Sequence, residues 1–383
     1  MTPFIDLVRD SGKFQAMITA IEPLMTQPQY TKYFTPTFNE TKDWKGIEKV
    51  VGRVPVASYV SEHSGKSIVK TGTIGQVYGD LPTWGDLYPI TSDELIELQR
   101  IENYLKQKGM SGNSAISQMQ IDQLEDQRTD MLRRKFDPIA RMPTATMDML
   151  AFEEWSNGTA SIINTKNAPK SGFDVDFEVK KYHVSTVWSD KNNATALADL
   201  DAFVYRVWKD LGIRIDTLAL NPDEMRKILL QKSSADIITS YTTTSKGQIK
   251  TTGRPSQEDV NITLQGQYRI PAITLIDAVV DIRGEGGDIS TVSESRNAFL
   301  DGRVAATVGT QLGDYMYTLT PEQRLPDKDY TYATAQGNVL LSALSKKGEF
   351  SIESELCALP VLTGRKRMAI LVTDDTTTGD SLY

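Results

Sequence analysis

Residues 64–86 place the tightest limit on what this chain can fold into. Short β-type runs, Ser67 to Lys70 and Gln76 to Tyr78, are interrupted there by Gly65, Gly72, Gly75, Gly79 and Gly85, and a β-branched stretch over 50–60 precedes them. The pattern predicts a strand followed by a long, thin two-stranded ribbon. A two-stranded ribbon has no third layer to cover either face and is marginal alone in water, so this one must rest on another surface. Residues 1–35 carry Pro3, Pro23, Pro28 and the aromatics Tyr30, Tyr33 and Phe34 without a sustained period of 2 or 3.6, which predicts an arm that drapes over something else.

The next region is helical. Thr91, Ser92 and Asp93 are N-cap candidates, and Leu95, Leu98, Ile101 and Leu105 share a face that ends at Gly109 and Gly112. A second helix is expected over 114–135, closed by Asp137-Pro138, and a third over 147–155, stopped at Asn157-Gly158. Long charged helices with so narrow an apolar stripe suit a spine lying across a sheet. From 173 to 187 the period changes to 2, with Val175, Phe177 and Val179 alternating against Asp174, Asp176 and Glu178. A helix over 197–208, a strand over 213–220, a helix over 222–231 with Asn221 as N-cap and Pro222 at its first position, and a strand over 272–276 predict an α/β unit within about 190–320. Polar loops over 242–259 and 284–295 interrupt it, and β segments at 350–356 and 368–372 finish the chain.

Composition removes several function classes. With 42 basic and 50 acidic side chains the formal net charge is -8, which disfavours a chain whose main task is gripping phosphate backbone. Cys357 is the single cysteine and His63 and His183 the two histidines, leaving little for a disulfide, a zinc site or a histidine relay. No apolar run approaches the roughly 20 residues of a bilayer span, and residues 1–12 lack the pattern of a secretory signal, so a soluble chain of a reducing cytoplasm is expected.

Of the motifs that carry chemistry, Gly65-Lys66-Ser67 resembles the end of a phosphate loop, but Val60 stands where that loop needs its first glycine, so it reads as a ribbon turn. The Gly-rich run 284–288 has no helix onset after it and reads as a loop. Asp174, Asp176 and Glu178 would project from one side of a strand, a spacing that suits a hard cation or an acid–base pair; a solvated sheet face shows the same pattern. The basic clusters Arg133-Arg134-Lys135 and Arg365-Lys366-Arg367 suit either nucleic acid or acidic groups of a neighbouring subunit, and the net negative charge favours the second.

The order of these parts resembles the tailed-bacteriophage major capsid proteins, in particular the E-type family of phage lambda. The residues that carry the likeness are Phe173-Asp174-Val175-Asp176-Phe177, the Trp188-Ser189 step, Leu218-Ala219-Leu220-Asn221-Pro222-Asp223, the block from Phe299-Leu300-Asp301-Gly302 to Gly313-Asp314-Tyr315, and the closing strands over 349–372. The resemblance implies an α+β, Hong Kong phage-type capsid fold. Its parts would be an N-terminal arm (1–35), a peripheral-domain strand (36–60), an extended β-ribbon loop (61–90), a long spine helix region (91–158), peripheral β-sheet strands (159–189), an axial α/β domain (190–335), and a return to the peripheral domain with a C-terminal tail (336–383).

The function it implies is an icosahedral head shell enclosing double-stranded DNA, without catalysis or cofactor, in the virion and assembled in the bacterial host cytoplasm without a membrane. Partners would be copies of the chain in pentamers and hexamers, scaffolding, portal and decoration proteins, and packaged DNA held by weak contacts. Intersubunit contact candidates are Lys66, Lys70, Tyr78, Trp84, Arg133, Arg134, Arg365 and Arg367, and hinge candidates are Gly109, Gly112 and Gly158. Some members of that family cross-link a Lys to an Asn; Lys66 or Lys70 and Asn338 supply the residue types, and no cross-link is assigned. Two other readings stand beside it: a nanocompartment shell of the same fold, similar to encapsulin, and a metal-dependent hydrolase centred on Asp174, Asp176 and Glu178.

Overall fold

A computed structural model of the chain describes residues 8–25, 27–47, 76–91, 118–162, 173–238, 255–283, 292–346 and 349–383, with Asp93, Ile96, Gln99, Arg100 and Asn103 as helical positions between them. The strand expected over 50–60, Lys66, Lys70, Gly109, Gly112 and the run 284–288 lie outside the described residues.

The first of two large sheets is organised by the strand Glu349–Val361. One of its edges pairs antiparallel with Leu340–Lys346, which in turn pairs with Tyr330–Thr334. It also pairs antiparallel with Thr83–Pro89 over 351–357 and with Gly313–Thr318 over 357–361, and Phe34–Phe38 adds to the latter in parallel. The helix Gln118–Asn157 packs against this sheet and buries Leu132, Phe136, Ile139, Ala140, Met147, Leu150 and Ala151, a stripe with helical spacing.

That helix corrects the expected break at Asp137-Pro138: it runs unbroken for 40 residues through Pro138 and Pro143. Each internal proline removes one backbone donor and costs about 3 kcal/mol in a helix interior. Phe136, Met147 and Leu150 lie on both sides of the two prolines and are fully buried in one core. At roughly 1.5–3 kcal/mol for each large apolar side chain buried, those contacts outweigh the missing donors, and tertiary packing overrides propensity. The helix ends as expected at Gly158, whose φ of 70° is left-handed and whose N–H donates to the Glu154 carbonyl. A Cβ there would lie 2.7 Å from Val179, so the close approach requires glycine.

The N-terminal arm is also corrected, because its cover is its own chain. Helix Ser11–Ile21 is capped by Asp10 and buries Phe14, Ile18 and Ile21. Phe14 meets Phe136 of the long helix with ring centroids 5.9 Å apart. The spacing 14, 18, 21, 25 is a helical stripe that the surrounding prolines and polar residues obscure. Gln15 completes the docking: its side-chain amide accepts from Thr334 N–H (2.7 Å) and donates to Thr334 C=O (3.0 Å), capping the free edge of Tyr330–Thr334.

The second sheet runs in the order Asp380–Ser381, Lys180–His183, Met368–Val372, Arg303–Thr307, Thr217–Leu220, Ile273–Leu275. Because successive side chains point to opposite faces, its three central strands serve two cores at once. Leu218, Leu220, Val304, Ala306, Ala369 and Leu371 join a cluster with helices Ala196–Leu211, Pro222–Leu230 and Gln257–Thr263. Ala219, Ala305, Met368 and Ile370 join the core built around the long helix. The sheet is thus covered on both faces, which is why 368–372 reads as a continuous apolar run. The chain changes sheet at points other than the expected 189/190 and 335/336. Gly313–Thr318 and Tyr330–Thr334 already belong to the first sheet, while Met368–Val372 returns to the second.

Candidate functional site

The base of the ribbon is bolted into the body. Strands Asp43–Ile47 and Gln76–Asp80 pair antiparallel, with Tyr78 opposite Lys45. Trp44, within the first of them, is 1% exposed, and a Cβ at its partner Gly79 would stand 3.0 Å from its ring nitrogen. Leu81, also buried, donates its N–H to the Lys42 carbonyl, and the chain then enters the first sheet at Thr83. Trp84 donates its indole N–H to the Ala358 carbonyl at 2.8 Å, so the half-buried ring is held against its own sheet.

The arginine candidates divide into two kinds. Arg133 and Arg134 share Asp130 at 4.0 and 3.2 Å on an open helix face, and pairs this exposed contribute about 0–1 kcal/mol, leaving both side chains free to trade that contact for another. Arg365 donates to the Phe177 carbonyl and to Glu178 at 3.2 and 3.1 Å, and Arg367 donates to the Val308 carbonyl at 2.9 Å. Those two close loops of their own chain.

Arg365 also bears on the acidic run. The strand Phe173–Asp176 stops before Glu178: Asp176 Oδ1 accepts the Glu178 N–H at 2.8 Å in a side-chain turn, and Glu178 takes a left-handed φ of 53°. The three carboxylates therefore do not project from one strand face, correcting the expected spacing. Among the described residues no group of three His, Cys, Asp or Glu side chains converges to hold a metal ion. His183 instead faces the Gly379 carbonyl, with Nδ1 at 3.2 Å.

Two groups of buried carboxyls were not legible as such. In the long helix, Asp148 Oδ1 accepts from both Gln29 N–H and Tyr30 N–H at 2.8 and 2.7 Å, pinning the N-terminal segment. Burial outweighs those two donors and raises the Asp148 carboxyl to about 6. Further along, Glu153 accepts from Ser161 Oγ at 3.0 Å and lies 3.8 Å from Arg296. Glu154 is fully buried on the stripe of Leu150 and Ala151, with no partner for either oxygen; burial first, then the Glu153 charge, push it well above the carboxylate range. Its register on that stripe was the available signal, three and four positions after the two apolar residues.

The Asp148 shift gives a pH prediction with a definite sign. The folded carboxyl titrates higher than the unfolded one, so between about pH 4 and 6 the unfolded chain releases a proton that the folded chain keeps. Stability falls as pH rises through that window, by an amount on the order of 2–3 kcal/mol. Asp148→Asn keeps the acceptor oxygen and removes the titration, so urea unfolding at pH 4 and pH 7 should differ less than in the wild type. An unchanged pH dependence would remove Asp148 as its source.

The second group surrounds Glu224, in the first turn of Pro222–Leu230. Asn221 caps that helix by accepting the Glu224 N–H at 2.8 Å and donates to the Phe299 carbonyl and to Asp301. Glu224, fully buried, accepts from Gly302 N–H and Thr373 Oγ1, each at 2.8 Å, and pairs with Lys227. Arg303 spans Gly302 C=O and Asp374 at 2.8 and 2.5 Å. This knot ties a helix start to the ends of two central strands.

No protein-family model matches the sequence, and no curated protein matches it. Among solved structures, the chain is similar to a protein of E. coli CFT073 assigned as a prophage capsid protein, with a TM-score of 0.50 and 10% identity over 95% of this chain and 98% of the other. It is also similar to a phage-related protein from Bordetella bronchiseptica RB50, with a TM-score of 0.47 and 8% identity over 94% and 96%. A third likeness is to the cyanophage A-1(L) capsid, with a TM-score of 0.42 and 10% identity over 90% and 91%. The first of these is a likeness of fold along nearly the whole of both chains.

Proposed function

We propose that this chain, whose fold is the Hong Kong phage-type capsid fold, is a major capsid protein whose copies build the icosahedral head of a tailed double-stranded DNA bacteriophage. The observation that carries the reading is the fold likeness, which extends over 95% of this chain and 98% of the similar one. Physical argument supports it: the paired strands Asp43–Ile47 and Gln76–Asp80 flank the segment whose sequence predicts most of the ribbon, and a ribbon needs cover on its faces. Cover supplied head-to-tail by the next copy is a heterologous contact, which closes into rings of five or six.

In such a shell the first sheet with the long helix forms the peripheral part and the second sheet with its helices the axial part. Arg133 and Arg134, together with ribbon residues Lys66, Lys70 and Tyr78, are then the contact candidates. Arg365, Arg367 and Trp84 hold their own subunit together. A net charge of -8 lets packaged DNA slide without adhering. The role needs no catalytic group, and scaffolding, portal and decoration proteins are its natural partners. Among the described residues, no helix is long and apolar enough to cross a membrane.

Electron microscopy of the purified protein tests the reading, with nucleic-acid content measured on the same particles. Closed shells of uniform size with five- and six-fold rings are expected. Monomers or open oligomers at high concentration would overturn it. Shells that form around a protein cargo instead of DNA would replace the phage role with a nanocompartment.

A further inference from the structure

The last described residues form a strap whose contacts differ from those of a loose tail. Asp380 and Ser381 pair in parallel with Tyr182 and His183 at the outer edge of the second sheet. Leu382 is buried in the second core and donates its N–H to the His183 carbonyl at 3.1 Å. Tyr383 reaches past it, and its hydroxyl donates to Asp199 Oδ1 at 2.7 Å. Asp199 is itself buried and accepts from Trp188 Nε1 at 2.9 Å and Thr195 Oγ1 at 3.3 Å. Lys180 pairs with Asp380. The edge thus presents a backbone ladder, an apolar socket and a buried charged acceptor in sequence, the components of strand-addition recognition.

The segment that brings the strap to this edge is of the opposite character. Positions 374–379 are exposed, apart from half-buried Asp375, and none joins either hydrophobic core. The middle of the segment is held by local bonds, Asp375 accepting from Thr377 and Thr378, and its two ends by the Arg303–Asp374 pair and by His183 Nδ1 against the Gly379 carbonyl. Gly379, at φ 96°, passes so close to Lys181 that a Cβ would stand 2.5 Å from its carbonyl oxygen. Six residues of extended chain span roughly 20 Å.

We propose that the edge of Lys180–His183, with the Leu382 socket and Asp199, is a docking groove for residues 380–383, filled in cis here and able to receive the same segment from a second copy in trans. The recognised chemistry is an extended peptide of the order acidic, small polar, aliphatic, tyrosine. Exchange breaks the contacts that re-form in the neighbour, the local bonds of the exposed turn and, at its start, the Arg303–Asp374 pair, and it leaves both cores intact. The inference stands on this edge alone and does not depend on the shell reading.

The test uses a fluorescent peptide of residues 374–383 and a chain ending at residue 373. The truncated chain, shown folded by circular dichroism and a cooperative melt, should bind the peptide saturably. A Tyr383→Phe peptide, lacking the hydroxyl that donates to a buried carboxylate, should bind about tenfold more weakly. A Leu382→Asp peptide should not bind, and the full chain should bind at least about tenfold more weakly than the truncated one because its groove is occupied. No binding to the folded truncated chain, or equal binding of the three peptides, would overturn the proposal. Should the truncation not fold, the full chain carrying Leu382→Asp serves as receptor, with the same outcomes. Failure of both to fold would mark the segment as a fixed part of the core and would also overturn it.

Discussion

Replacing residues 50–73 with a short Gly-Ser turn is expected to yield a folded subunit that builds no closed shells. The reason is the division found at the ribbon base. Asp43–Ile47 and Gln76–Asp80 pair with each other, Trp44 in the first strand and Leu81 just after the second are buried, and Thr83–Pro89 belongs to the first sheet. All of these survive the deletion, so the melt of the subunit should move little. A wider cut to residue 86 would remove Leu81 and half of the Thr83–Pro89 pairing and would unfold the sheet edge for reasons unrelated to assembly. Sedimentation and electron microscopy of the deletion give the answer: particles of normal size would refute the assembly role of the ribbon.

Glu224→Ala should be the most destabilising single substitution proposed. The carboxylate is fully buried and satisfies Gly302 N–H, Thr373 Oγ1 and Lys227 at once. Its loss leaves two buried donors without acceptors and a cation without its partner, on the scale of 3–5 kcal/mol for a broken buried pair. At roughly 2–4 °C per kcal/mol in a chain of this size, the melting temperature should fall by about 10 °C. Glu224→Gln keeps an acceptor oxygen and should lose less than half as much. Equal losses for Ala and Gln would show that the charge on Lys227, and not the two hydrogen bonds, governs the site. A loss below about 1 kcal/mol for Ala would mean the knot is not a stabilising element.

Much of the architecture was legible because it is written in local period and local chemistry. Asn221 and Pro222 start a helix where a cap oxygen and a ring-fixed φ belong. Phe177 and Val179 are buried while Asp174, Asp176 and Glu178 are exposed, the alternation in the sequence, although the strand itself ends at Asp176. Met368–Val372 is a strand of five buried residues. The failures are equally specific. Asp137-Pro138 carries the local signal of a helix end, and no expectation from the sequence marks Glu154 or Glu224 as buried. Phe14, Ile18 and Ile21 looked like the scattered apolar residues of an arm. In each case the deciding contacts come from residues far away in the chain, such as Phe136 against Phe14 or Thr373 against Glu224.

By itself, the order of residues determined which segments could be helix, strand or turn, which side chains needed cover, and that a ribbon over 64–86 requires a surface beyond its own two strands. Only the tertiary structure decided what supplies the cover: the long helix for the N-terminal segment, and two separate cores for the two faces of strand 368–372. It also decided which carboxyls are shut away from water. The physical reason is range. Period and capping act within a few residues, whereas burial is settled by whichever distant apolar surface arrives, and its summed free energy can override a proline or bury a charge that local preference would have left outside.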